Sequence, residues 1–286
     1  MIYLSPAKVN LSLRITGKDP KDGYHFIDSI FDPVSLYDVI EIEKADNNAV
    51  TVKDVCHALD IAQEKNIVYR AAVLFGETYN IKSGVNIKLY KNIPNGAGMG
   101  GGSSNAATVL HAMNDIFKVK APLKELSMLG FKLGSDVPFF IYNRTARVSG
   151  KGERISPVVR KKALWYVLLC KNTHVSTKKA YELLDNEKKL TIDNSYNILV
   201  LRYLKGQAVK GGFLQNDFEN PIFKAFPGLK KVKIALKKQN NCIDACLSGS
   251  GATVFALFET KADADICCRK MKAEFPGSFV KTAHSI

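Results

Sequence analysis

Residues 91–107 constrain this chain more than any other stretch. They read Lys91-Asn92-Ile93-Pro94-Asn95-Gly96-Ala97-Gly98-Met99-Gly100-Gly101-Gly102-Ser103-Ser104-Asn105-Ala106-Ala107. Residues 85–89 before them alternate apolar and polar, the period of a strand. After them Ala106, Val109, Leu110, Met113 and Ile116 fall at the spacing of an amphipathic helix. The order is strand, glycine loop, helix, with Ser103 or Ser104 expected as the helix cap. A helix start exposes unpaired N–H groups and about half a positive charge. Glycines let such a backbone wrap closely around an anion. Phosphate is the expected guest; a surface loop before a helix is the other reading. No Lys-Ser or Lys-Thr follows the last glycine, so this is not a Walker A loop. Gly96-x-Gly98-x-x-Gly101 matches the dinucleotide pattern, but the loop comes late and no acid follows at the expected distance.

The rest of the chain mixes strands and helices. Ala7, Val9, Leu11, Leu13 and Ile15 alternate with Lys8, Asn10 and Ser12, so residues 7–15 read as a strand with a polar outer face. Residues 39–43 read as a second strand and 66–79 as a helix. Residues 123–133 read as a helix, 146–153 as a strand and turn, and 164–169 as a buried strand behind the basic Arg160-Lys161-Lys162. Helices are expected over 177–184, 196–204, 229–238 and 262–275. The segment 247–258 reads as a small-residue turn entering an apolar strand. A boundary near residue 152 divides the chain into 1–152 and 153–286.

Composition excludes several classes. With 286 residues, 46% hydrophobic and 24% charged, the chain is an ordinary globular sequence of one large or two moderate domains. Its longest apolar run, 163–170, is far shorter than the ~20 residues of a membrane helix. No secretory signal opens it, so a cytoplasmic protein is expected. Lys+Arg 41 against Asp+Glu 27 gives +14, which favours anionic partners or is simply a basic surface. Six cysteines without a CxxC pair read as reduced core thiols rather than a zinc site.

Other candidates are weaker alone. Ser248-Gly249-Ser250-Gly251 reads as a tight turn, or as a second wall of amides against a phosphorylated ligand. Asp136, before Val137-Pro138, reads as a helix cap or as a base for a hydroxyl proton. Lys8 alone is a cation on a solvated strand face. Tyr24-His25 reads as a loop aromatic with an exposed histidine.

Taken together and in order, these segments resemble the GHMP kinase superfamily, which includes galactokinase, homoserine kinase and mevalonate kinase. The resemblance is carried by Pro6-Ala7-Lys8-Val9-Asn10-Leu11, Gly23-Tyr24-His25, the loop Pro94 to Ala107, and Gly134-Ser135-Asp136-Val137-Pro138-Phe139. Gly150-Lys151-Gly152-Glu153, Asn216-Asp217-Phe218-Glu219 and Leu247-Ser248-Gly249-Ser250-Gly251-Ala252 complete it. It implies a two-domain α+β fold, the first domain like domain 2 of ribosomal protein S5, with the active site in the interdomain cleft. It also implies an ATP- and Mg2+-dependent kinase of a small cytidyl alcohol, with no nucleic acid or membrane partner. Pro94, Asn95, Gly96, Ala97, Gly98, Met99, Gly100, Gly101, Gly102, Ser103 and Ser104 would hold the ATP phosphates, with Lys91 and Asn66 nearby. By the same resemblance Asp136 would be the base, and Lys8 beside it would keep it ionised. Asn10 would orient the substrate. Tyr24, His25 and Tyr181 would hold the cytosine, with Gly249 and Ser250 completing the substrate side. No metal ligands are assigned. A different GHMP acceptor, or a basic nucleic-acid-binding protein on an S5-like fold, are the alternatives.

Overall fold

The computed structural model describes residues 1–57, 61–173, 175–187, 195–209 and 212–286. These form two compact units. Unit 1 is Met1–Ala7, Leu36–Asn95 and Gly100–Arg144; unit 2 is Lys8–Ser35, Gly96–Met99 and Thr145–Ile286. The units are not the two sequence segments on either side of residue 152. Two long strands, β1 (Ile2–Lys18) and β2 (His25–Lys44), each carry residues of both, so the chain passes between units more than once.

In unit 1, β3 (Val50–Asp54) runs parallel to β4 (Val85–Tyr90), and β4 pairs antiparallel with the end of β2, Val39 opposite Tyr90. Between β3 and β4 lies α1 (Ile67–Thr78). It buries Val68, Ala71, Ala72 and Phe75, an i, i+3, i+4, i+7 stripe. Helices α2 (Gly101–Ile116), α3 (Leu123–Phe131) and α4 (Val137–Tyr142) follow. The stripe expected for α2 is buried in full.

In unit 2, β5 (Ala146–Gly150) pairs antiparallel with the first part of β2 and with β6 (Arg154–Pro157). A second sheet is built on β7 (Trp165–Cys170). Then come α5 (Thr177–Asp185), α6 (Ser195–Leu204), the short β8 (Gln215–Asn216), α7 (Glu219–Ala225) and α8 (Pro227–Lys237). The chain closes with β9 (Asp244–Leu247), β10 (Thr253–Phe258), α9 (Lys261–Glu274) and β11 (Phe279–His284). The second sheet runs β11-β7-β10-β9, antiparallel throughout, with α8 and α9 packed against it. β8 pairs parallel with β1, Ser12 opposite Gln215.

The α+β class expected from the sequence is what the structure has. Two local features go beyond what the pattern of residues suggests. Strand 39–43 is the tail of a strand that begins at His25, because Asp28, Asp32 and Asp38 interrupt its apolar pattern while lying buried in it. Arg160 of the basic triplet is tied to the core: its guanidinium lies 3.1 Å from Asp32, which also accepts from Tyr166 (2.7 Å) and Thr145 (2.5 Å). Burial still pushes the Asp32 carboxyl above its ordinary value. No helix of the described residues is long and apolar enough to cross a membrane.

Candidate active site

In unit 1 the glycine loop leaves β4 under tight control. Asp38, fully buried in β2, accepts at Oδ1 from the N–H groups of Asn92 (2.7 Å) and Ile93 (2.8 Å). Its Oδ2 accepts from Lys91 Nζ and from Asn105 Nδ2 (3.0 Å). Lys91 Nζ also donates to Asn105 Oδ1 (3.0 Å), and the Lys91 side chain is only 4% exposed. The ammonium of Lys91 is thus committed to the loop's own scaffold.

The loop turns into α2 through Gly100, whose φ of 69° and ψ of 17° are left-handed. Glycine takes that conformation without a Cβ clash, so it is the cap, and not Ser103 or Ser104 as expected. Both serines lie inside the first turn. Ser104 is buried and accepts from Ser5 Oγ (2.8 Å). The first-turn N–H groups of Gly101, Gly102 and Ser103 occupy positions without an intrahelical acceptor.

Two other segments of unit 1 meet this helix start. Asn66 caps α1, its Oδ1 accepting from Val68 N–H at 3.0 Å, and Ile67 Cγ2 lies 3.8 Å from where a Gly102 Cβ would sit. A Cβ on Gly134 would lie 3.9 Å from both Ser103 Oγ and Ile67 Cδ1. The turn carrying Asp136 is therefore packed beside the first turn of α2. Asp136 stands at the cap position of α4, yet its side chain makes no cap hydrogen bond. The capping alternative fails, because the short α4 starts on Pro138 near its N-terminus without using the carboxyl.

In unit 2 the face of β1 read as solvated is buried. Lys8 is 3% exposed, and Asn10 and Ser12 are fully buried. A side-chain hydrogen-bond network lines this polar face. Lys8 Nζ donates to Asn10 Oδ1 (2.5 Å) and lies 4.4 Å from the Phe31 ring centre. Asn10 Nδ2 donates to Ser29 Oγ (3.2 Å), and Ser29 in turn to the Ser12 carbonyl. Ser248, absent from the sequence candidates as a side chain, donates to the Gly98 carbonyl (2.9 Å) and sits 3.4 Å from Asn10 Oδ1. Met99 O accepts from Lys8 N–H (3.0 Å) and Ala97 O from Thr253 N–H (3.2 Å), so residues 96–99 are held by backbone on two sides. Gly98, at φ +73°, leaves no room: a Cβ would meet the Ser248 carbonyl at 2.1 Å. Gly98→Ala is expected to destabilise the protein by on the order of 2 kcal/mol, measured by urea unfolding. Unchanged stability would contradict this packing.

Gly249 packs against Gly98 O at 3.0 Å (again from its would-be Cβ), and its own carbonyl accepts from Asn216 Nδ2 (2.8 Å). Ser250 Oγ lies 3.4 Å from Thr177 Oγ1. At the expected cytosine site His25 and Tyr181 stack, centroids 4.3 Å apart and planes 17° apart, with Phe218 edge-on to Tyr181 at 4.9 Å. His25 Nε2 meets Asp185 Oδ1 at 2.6 Å, and Lys18 reaches Asp185 at 2.7 Å. Burial raises the Asp185 carboxyl, but the bonds from Lys18 and His25 outweigh it and hold it below its ordinary value. Tyr24 is 59% exposed, with Lys151 Nζ 5.7 Å from its ring centre.

A glycine loop entering a helix start, in an α+β chain, is an arrangement suited to an anion such as phosphate. Comparison with known proteins agrees. The family pattern described as GHMP kinases N terminal domain matches residues 66–144, and that described as GHMP kinases C terminal matches residues 204–277. A 4-diphosphocytidyl-2-C-methyl-D-erythritol kinase of Clostridioides difficile strain 630 is 38% identical over 279 residues, covering 96% of this chain and 93% of that protein. The chain belongs to the GHMP kinase family, and its fold is the GHMP kinase fold. A crystal structure of 4-(cytidine 5'-diphospho)-2C-methyl-D-erythritol kinase superposes with a TM-score of 0.83 at 31% identity, covering 99% of both chains. A homoserine kinase from Cytophaga hutchinsonii gives 0.78 at 20% identity, covering 100% of this chain and 94% of that one; it shares the fold.

Proposed function

We propose that this chain transfers the γ-phosphoryl group of ATP to the 2-hydroxyl of 4-diphosphocytidyl-2-C-methyl-D-erythritol, a step in non-mevalonate isoprenoid precursor synthesis. The substrate follows from the relatives' activity at 38% and 31% identity over nearly the whole chain. The observation that carries the chemistry is the Asp136 turn packed beside the first turn of α2. That packing supports a role for the Asp136 carboxyl, which makes no cap hydrogen bond, beside amides suited to a phosphate chain.

Phosphoryl transfer has a loose transition state, so alignment and charge stabilisation dominate catalysis. Backbone amides from Pro94 to Ser104 hold the ATP phosphates. Asp136 takes the proton from the acceptor hydroxyl. Lys8 supplies positive charge that favours the ionised forms, and Asn10, fixed by Lys8 and Ser29, orients the alcohol. ATP arrives as its magnesium complex. Among the described residues no group of three or more His, Cys, Asp or Glu side chains could hold a metal ion. All six cysteines are free thiols, in keeping with a cytoplasmic enzyme.

His25, Tyr24 and Tyr181 recognise the cytidine end. Stacking on a base is worth roughly 1–3 kcal/mol, or about 5–150-fold in affinity. Tyr181→Ala should raise KM for the cytidyl alcohol within that range and leave KM for ATP nearly unchanged. An equal rise in both would remove Tyr181 from the base site. The substrate itself is tested with ATP and a panel of alcohols that includes homoserine and mevalonate. Turnover confined to the cytidyl alcohol supports the proposal. Preferred turnover of either other alcohol would overturn it.

A further inference from the structure

We propose that Asp38 is a positioning residue that clasps the two ends of the glycine loop and thereby sets the affinity for ATP. This rests on the kinase reading above. The single Asp38 carboxyl accepts four hydrogen bonds. Two come from the loop's entry, the N–H groups of Asn92 and Ile93, and a third from Lys91 Nζ. The fourth comes from its exit, Asn105 Nδ2 in the first turns of α2. Between these points lie Gly96, Gly98 and Gly100, all at positive φ. A glycine-rich segment loses much conformational freedom on ordering. Holding both ends before ATP arrives removes part of that cost from the binding step.

The clasp also sets the direction of a hydrogen-bond chain. Lys91 donates to Asn105 Oδ1, which fixes the amide so that Nδ2 faces Asp38 and Ser5 Oγ (2.9 Å). Having accepted from Asn105, Ser5 donates to Ser104 Oγ. The Ser104 proton is then directed away from Ser5. Asp38 is fully buried, so it acts on ATP through the loop and never by contact.

The test uses Asp38→Asn, Asn105→Ala and the double variant. Each is titrated with a non-hydrolysable ATP analogue by calorimetry, and both KM values are measured. Asp38→Asn keeps an oxygen for the Asn92 and Ile93 amides but turns an NH2 toward Lys91 and Asn105. Its affinity for the analogue is expected to fall at least about tenfold, with KM for the cytidyl alcohol held within about twofold. Asn105→Ala should shift the same constant by less, and the double variant should be no worse than Asp38→Asn because both act through one clasp. Unchanged analogue affinity in the folded variants, equal loss for both substrates, or fully additive losses would overturn the proposal. If Asp38→Asn does not fold, Asn105→Ala decides alone by the same two constants. A wild-type protein that fails to bind the analogue would sink the kinase reading and this proposal with it, a result distinct from normal wild-type binding with unaffected variants.

Discussion

Asp136→Asn is expected to lower kcat by at least about a hundredfold, the usual cost of losing a positioned general base. The substitution keeps the size of the side chain but removes its negative charge and its capacity to take a proton. Asp136 makes no cap hydrogen bond with the helix it precedes. The variant should therefore fold as the wild type does and bind ATP with little change. Steady-state kinetics on purified protein, beside a thermal melt, separate the two effects. Near-normal kcat would remove Asp136 from the reaction; a lost fold would show that the carboxyl holds the turn.

Lys8→Met is the second large effect, again at least about a hundredfold in kcat. Lys8 is almost wholly buried, bonded to Asn10 and set over the Phe31 ring. A buried ammonium is costly to desolvate, and methionine is close to it in length and apolar, so stability should hold or rise. The variant loses the charge and leaves Asn10 Oδ1 with the long contact to Ser248. Activity lost with stability kept is the signature of a cation retained for chemistry. Loss of both together would make Lys8 a structural residue.

The glycine loop was legible in the sequence because its chemistry is local. Positive φ at Gly96, Gly98 and Gly100 needs glycine, and the helix after it announces itself by period. The long helices were legible for the same reason. What failed was any feature that depends on partners far along the chain. Alternation in β1 correctly separated its two faces, but a polar face does not say whether water or a side-chain network covers it. Asp38 gave no signal, since one acid in a strand looks the same whether it faces solvent or clasps residues 92, 93 and 105. The Ser248 hydroxyl was hidden inside a turn whose glycines drew the attention. The helix cap was misplaced because serine is the commoner cap, while here the chain enters α2 through a left-handed residue. β9 and β11 were missed because Asp244, Lys281 and His284 dilute their apolar pattern. The cytidine side was suggested only by resemblance; the structure adds the His25–Tyr181 stack and the Asp185 anchor beneath it.

The central claim is tested most directly by incubating the purified protein with γ-labelled ATP, magnesium and 4-diphosphocytidyl-2-C-methyl-D-erythritol, then locating the label by mass spectrometry and phosphorus NMR. The account predicts one added phosphate on the 2-hydroxyl, formed at a rate that added cytidine nucleotides depress. Label released only as inorganic phosphate, or carried on a different hydroxyl, would contradict it.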